Sequence, residues 1–196
     1  MAESRGKRGA KTPRKITAQR LENMALYYLG RYASSSANLR RVLMRKVERA
    51  AAAHDADPAE GAKLIEDLIA RYQRSGLIDD RAYAAQKATS LQRRGASRFG
   101  IKGKLRQKGV AGALIDDALH GLEEQGSTAS ELASACALVR RRRLGPYREK
   151  GKRATMRDKD LAALSRAGFG FEVARRVLDA PDIAAVEKLA RGKAGE

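Results

Sequence analysis

The residues best equipped to do chemistry in this chain are its arginines and lysines. Arg140, Arg141, Arg142 and Arg143 form an unbroken run, and Arg148, Lys150, Lys152 and Arg153 follow closely. Upstream, Lys104 and Lys108 share one helix face, Lys102 and Arg106 share the adjacent one, and Arg93, Arg94 and Arg98 stand at the preceding helix junction. Clusters of this kind recognise anions. An ordinary solvated face would mix signs, and these scarcely do. They form the candidate binding surface, with a merely soluble surface as the alternative.

Other chemistry finds little support. The carboxylate pairs Asp79-Asp80 and Asp116-Asp117 sit on helical segments, where adjacent residues diverge by about 100°, so neither makes a metal site. Asp79 reads as a helix cap and Asp116-Asp117 as the polar side of a helix start. His54 and His120 lie far apart, without partners at zinc-ligand spacing. Gly100-Ile101-Lys102-Gly103 imitates the clamp of a KH domain, but that clamp needs flanking strands. A small-residue helix face explains it more simply. No Walker A loop, dinucleotide fingerprint or nucleophile elbow is present. The chain reads as a non-enzyme without a cofactor. Aromatic residues are 5% of the chain and Trp is absent. Tyr28, Tyr72, Tyr83 and Phe169 fall on core-facing positions, so phosphate contacts rather than base stacking should dominate any nucleic-acid binding.

Composition agrees. The 196 residues carry a formal charge of +18, which predicts an anionic partner: nucleic acid, an acidic protein surface or an anionic membrane. The one cysteine, Cys136, sits in an Ala-rich helical run and reads as a small buried hydrophobe. With no disulfide possible within the chain, a reducing cytoplasm is the expected home. No apolar run approaches the roughly 20 residues that span a bilayer. Met1–Lys15 is basic, aperiodic and read as a disordered arm, either a phosphate-binding aid or a solvated tail.

These charges need a scaffold, and the chain repeats itself to build one. Leu105, Gly109, Val110, Leu114, Ile115 and Leu119 match Leu164, Gly168, Phe169, Val173, Ala174 and Leu178 at one constant offset. Gly109 fits the left-handed position just past a helix end. A weaker copy uses Ser36, Leu39, Leu43 and Lys46, then Leu64, Ile65, Leu68 and Ile69. Helix starts fall at Thr17, at Asp57-Pro58 and at Asp79, with Ile78 and Tyr83 spaced as a hydrophobic staple. Thr128-Ala-Ser-Glu131 reads as a capping box, and Gly145-Pro146 forces a turn. No strand-length alternation occurs. The expected fold is all-α: three tandem three-helix repeats stacked into an elongated, curved array. The expected boundaries are an arm at 1–15, repeats at 16–77, 78–126 and 127–181, and a tail at 182–196. The third repeat holds a basic insertion, Leu144–Met156, ahead of a helix expected at Asp158–Ala167.

The phrases Gly76-Leu77-Ile78-Asp79-Asp80-Arg81-Ala82-Tyr83-Ala84, Arg94-Gly95 and Lys104-Leu105-Arg106-Gln107-Lys108-Gly109-Val110 resemble the central block of the RecX regulatory proteins. Arg143-Leu144-Gly145-Pro146-Tyr147 and Leu164-Ser165-Arg166-Ala167-Gly168-Phe169 resemble the later block. The likeness runs from about Ile16 to Leu178. Val47 departs from it, standing where the later copies have Gly109 and Gly168. The resemblance implies a cytosolic protein that binds RecA, along the groove of the RecA–single-stranded DNA filament, and inhibits strand exchange, ATP hydrolysis and co-protease action. No membrane partner and a monomer are expected, with direct contact to DNA left open. A general nucleic-acid-binding protein without a protein partner is the alternative.

Overall fold

The computed structural model describes residues 13–124 and 127–192. Their regular structure is entirely helical, and the chain divides between Ile78 and Asp79 into two compact units.

The first unit holds α1 (Ala18–Leu29), α2 (Ser36–His54) and α3 (Pro58–Arg74). Each start is capped by a side-chain oxygen, which satisfies an otherwise unpaired backbone donor. Thr17 accepts from the Arg20 N–H, Ser35 from Asn38 and Asp57 from Ala59, with Pro58 at the first helical position. Leu21, Leu39, Leu43, Val47, Ile65 and Tyr72 bury themselves in one core, and Ile78 joins them. Ile78 thus belongs to the first core, whereas Tyr83, its expected staple partner, belongs to the next. With Val47 in place of a glycine, α2 runs on regularly to His54 and ends at Asp55, whose φ of 47° is left-handed. Asp is one of the few residues that visits this region, because its short side chain can bond locally.

The second unit holds α4 (Asp80–Arg93), α5 (Arg98–Gln107), α6 (Gly112–Glu124), α7 (Ser127–Arg142), a 3₁₀ turn at Gly145–Tyr147, α8 (Lys150–Arg166), α9 (Phe171–Leu178) and α10 (Ile183–Ala190). Helices α4 to α6 surround one core and α7 to α10 another. The copied phrases occupy matching places. Leu105 and Leu164 are fully buried, Val110 and Phe169 nearly so, and Ile115 pairs with Ala174 in the same way. Gly109 and Gly168 have φ of 74° and 87°. After Gly109, the Val110 N–H reaches back to the Leu105 carbonyl at 3.2 Å; after Gly168, the Phe169 N–H reaches Leu164 at 3.1 Å. These six-residue reaches close each helix end and need a left-handed residue at the glycine.

The basic insertion differs from expectation, whereas the short helix that Asp182–Ala190 suggests does form. The basic insertion is not a loop throughout, because α8 starts at Lys150 and Arg148 and Asp160 anchor the turn before it. The tail beyond Pro181 carries α10, whose Val186 is buried in the last core beside Ala185 and Leu189. The capping box at Thr128 rests on side chains outside the described residues, as does most of the basic arm, Met1–Thr12.

A tight junction fixes α4 and α5 against the following helices. Gly95, at φ 79°, lets the chain pass so close to α7 that a Cβ there would lie 2.6 Å from the Leu138 nitrogen. The Ser97 hydroxyl accepts from the Gly100 N–H at 3.0 Å and donates to the Ala167 carbonyl at 2.5 Å, so one side chain caps α5 and ties it to the end of α8.

Candidate anion-binding surface

The structure divides the expected basic residues into two classes. Some have internal partners. Arg98 pairs with Glu123, and Lys102 with Asp116 at 2.9 Å. Asp117 takes Arg81 at 2.8 Å, so the two neighbouring acids of α6 face cations on different helices. The expectation that these faces scarcely mix signs therefore fails on the α5–α6 side: the acids lie elsewhere in sequence and meet the cations only on folding. The Lys102 hydrogen bond and charge hold the Asp116 carboxyl below the ordinary carboxylate range.

Arg148 and Arg153 are structural as well. Arg148 makes a two-pronged bond to Asp160, its nitrogens 2.7 and 2.6 Å from the two carboxylate oxygens, and the Gly145 N–H adds a third bond at 2.9 Å. Asp160 is 1% exposed. Burial pushes its carboxyl up, but the Arg148 and Gly145 hydrogen bonds more than offset this and hold it below the ordinary value. The same bond raises the Arg148 guanidinium. Arg153 donates to the carbonyls of Leu178 at 2.9 Å and Pro181 at 2.8 Å, and also to Ala180, closing the end of α9. Lys152 pairs with Glu149 at 2.7 Å on the surface, and Lys108 is half-buried.

The other class is exposed and makes no ion pair among the described residues: Arg93 and Arg94, Lys104 and Arg106, Arg140 to Arg143, and Lys150. Within it, the ends of α4 and α7 meet. The Arg141 Nη1 donates to the Arg94 carbonyl at 2.7 Å, and the Ser134 hydroxyl points to the Gln92 carbonyl at 3.4 Å. Arg93 and Arg94 are thus gathered beside Arg140–Arg143, whereas Lys104 and Arg106 sit on α5 and Lys150 on α8. The arginines at the end of α7 favour its negative pole, yet they crowd like charges where no described acid pairs with them. Arg143 stands at φ 53°, in the position that Gly109 and Gly168 hold elsewhere. Its N–H reaches Arg140 at 3.3 Å, and that of Leu144 reaches Val139 at 2.9 Å, the same helix ending as at the two glycines.

Such a patch suits phosphates and carboxylates, which accept the planar fork of a guanidinium. No cluster of acids, histidines and cysteine able to hold a metal ion occurs among the described residues. Burial pushes the Cys136 thiol up to about 11, which keeps it protonated and unreactive.

Comparison with known proteins gives these features a family. A model described as "RecX, second three-helix domain" matches residues 79–119, which span α4, α5 and most of α6. A curated relative, "Regulatory protein RecX" of Myxococcus xanthus, is 42% identical over 91% of this chain and 98% of its own length. The chain belongs to the RecX family. A RecX regulatory protein of Agrobacterium fabrum is 33% identical over 80% of both chains. No solved structure matches. None of the described helices in this RecX-family chain is long and apolar enough to cross a membrane.

Sequence reasoning missed Asp160 in this RecX chain, though a signal was there. Asp160 lies four residues before the buried Leu164, on the apolar stripe of its helix, where an acid demands a partner. It also missed the exposed aromatics: Tyr27 is 64% exposed and Phe99 75%.

Proposed function

We propose that this protein is a regulator that binds RecA, and the RecA–single-stranded DNA filament, in the cytoplasm and restrains its recombination, ATPase and co-protease activities. The observation that carries the reading is the arginine patch at the joined ends of α4 and α7 in a chain of the RecX family. A RecA filament presents phosphates and protein carboxylates together, and unpaired guanidinium groups can engage either. Membership in a family of regulatory proteins favours binding over catalysis.

The test is the ATPase of a RecA filament titrated with wild-type protein and with an Arg140→Glu/Arg142→Glu variant. Both side chains are exposed, so the fold should survive. The variant should need at least about tenfold more protein for the same inhibition, as for the loss of one or two buried charge contacts at an interface. Inhibition unchanged by the substitutions would refute the assignment of this patch.

A further inference from the structure

The first unit carries a second basic surface, separate in sequence from the patch above. On α1, Arg20, Asn23, Met24 and Tyr27 recur at the spacing of one helix face, and on α2 Val42, Arg45, Lys46 and Arg49 do the same. The two faces line a groove of about 890 Å³. Tyr28 and Leu43 complete its apolar floor. One end is fixed: the Asn38 amide donates to the Tyr28 hydroxyl at 3.0 Å and to the Ser34 hydroxyl at 2.8 Å, holding the end of α1 to the start of α2.

The charge in this groove is one-sided. None of its lining residues is acidic, and Arg20, Arg45, Lys46 and Arg49 make no ion pair among the described residues. Two acids of the unit pair with cations outside the groove: Glu22 with Arg71 at 2.7 Å, and Glu66 with Arg40. The rim also presents an aromatic plane. Tyr27 is 64% exposed, and the Arg31 guanidinium lies over its ring, 4.4 Å from the centroid. Asn23 accepts from Gln19 at 3.2 Å, which leaves its amide N–H groups to donate.

We propose that the α1–α2 groove binds single-stranded nucleic acid, with Arg45, Lys46 and Arg49 on phosphates and Tyr27 stacked on a base. Cationic rims that track a backbone beside aromatic planes that take unstacked bases are how single strands are held. A duplex would bring phosphates to the rim but keep its bases stacked away from Tyr27 and the apolar floor. This site is independent of RecA and of the arginine patch of the second unit.

The probe is a fluorescein-labelled 18-nucleotide oligodeoxythymidine, bound by the full chain without RecA and followed by anisotropy across a salt series. An Arg45→Ala/Lys46→Ala/Arg49→Ala variant should bind at least about tenfold more weakly. It should also flatten the slope of log affinity against log salt by about 2, at about 0.7 for each of the phosphates released. Tyr27→Leu should weaken binding about tenfold, the effect of losing one stacked base, and leave the salt slope unchanged. Far-ultraviolet circular dichroism and urea midpoints confirm that both variants remain folded. Wild-type affinity in either variant would overturn the proposal. So would equal weakening for a duplex of the same length, or loss of binding to polyglutamate with oligonucleotide binding intact. Because the assay contains no RecA, these outcomes are independent of the ATPase titration.

Discussion

Replacing Arg148 by alanine strips a buried carboxylate of its cation. Asp160 receives two nitrogens of Arg148 at 2.7 and 2.6 Å and the Gly145 N–H at 2.9 Å, and the Arg148 side chain itself is 23% exposed. Breaking a buried pair from one side costs about 3–5 kcal/mol, because the remaining charge is left without a partner. Gly145 still donates, and the cation is partly wet, so the lower end applies: about 3 kcal/mol for Arg148→Ala. Asp160→Asn should cost about as much, since its amide N–H₂ would face guanidinium donors. The double variant should cost little more than either single, leaving a coupling of about 2 kcal/mol or more. Urea unfolding reads this directly: at about 2 kcal/mol per M, each single variant shifts the midpoint down by about 1.5 M. The pH dependence has a definite sign. The Asp160 carboxyl is depressed in the folded chain, so its contribution is fully present above the unfolded value and disappears as pH falls through the folded one. Arg148→Ala should therefore flatten the acid limb of the stability profile. Additive single variants, each costing under about 0.5 kcal/mol, would refute the reasoning.

Two further outcomes concern Gly95 and Cys136. Gly95→Ala should destabilise by about 3 kcal/mol or more, because the new Cβ would meet the α7 backbone at Leu138 and Ser134, whereas Gly76→Ala, equally left-handed but with nothing within 4 Å, should cost only about 1 kcal/mol. Urea midpoints for the two variants would separate close approach from backbone strain; equal shifts would refute the close approach. For Cys136, burial and a thiol pushed up to about 11 should make its reaction with an aromatic disulfide at pH 8 at least about a hundredfold slower in the native protein than in urea; equal rates would refute it.

The helical fold was legible because the repeat is written in residue types that carry strong local meaning. A glycine between two apolar helices marks a left-handed end, and Gly109 and Gly168 take that conformation. Thr17, Asp57 and Asp79 declare helix starts through side-chain chemistry, and each caps a backbone N–H. What stayed hidden depends on contacts between distant positions. No local pattern says that Asp116 meets Lys102, that Arg153 closes the end of α9, or that Ser97 bonds to Ala167. For the same reason the basic residues could be counted but not sorted: Arg148 and Arg140 look alike in sequence, and only folding gives Arg148 an acid and leaves Arg140 without an ion pair among the described residues. The extension of α8 back to Lys150 was missed because charged residues fill its exposed first turns, so no apolar period announces them.

The left-handed Arg143 offers an unusual handle. Putting glycine there would relax the backbone and delete a positive charge in a single step, so firmer folding would accompany a weaker electrostatic grip. Most charge removals leave open whether a lost partner reflects damage to the scaffold; at this helix end the two effects run in opposite directions, and the position serves as its own control.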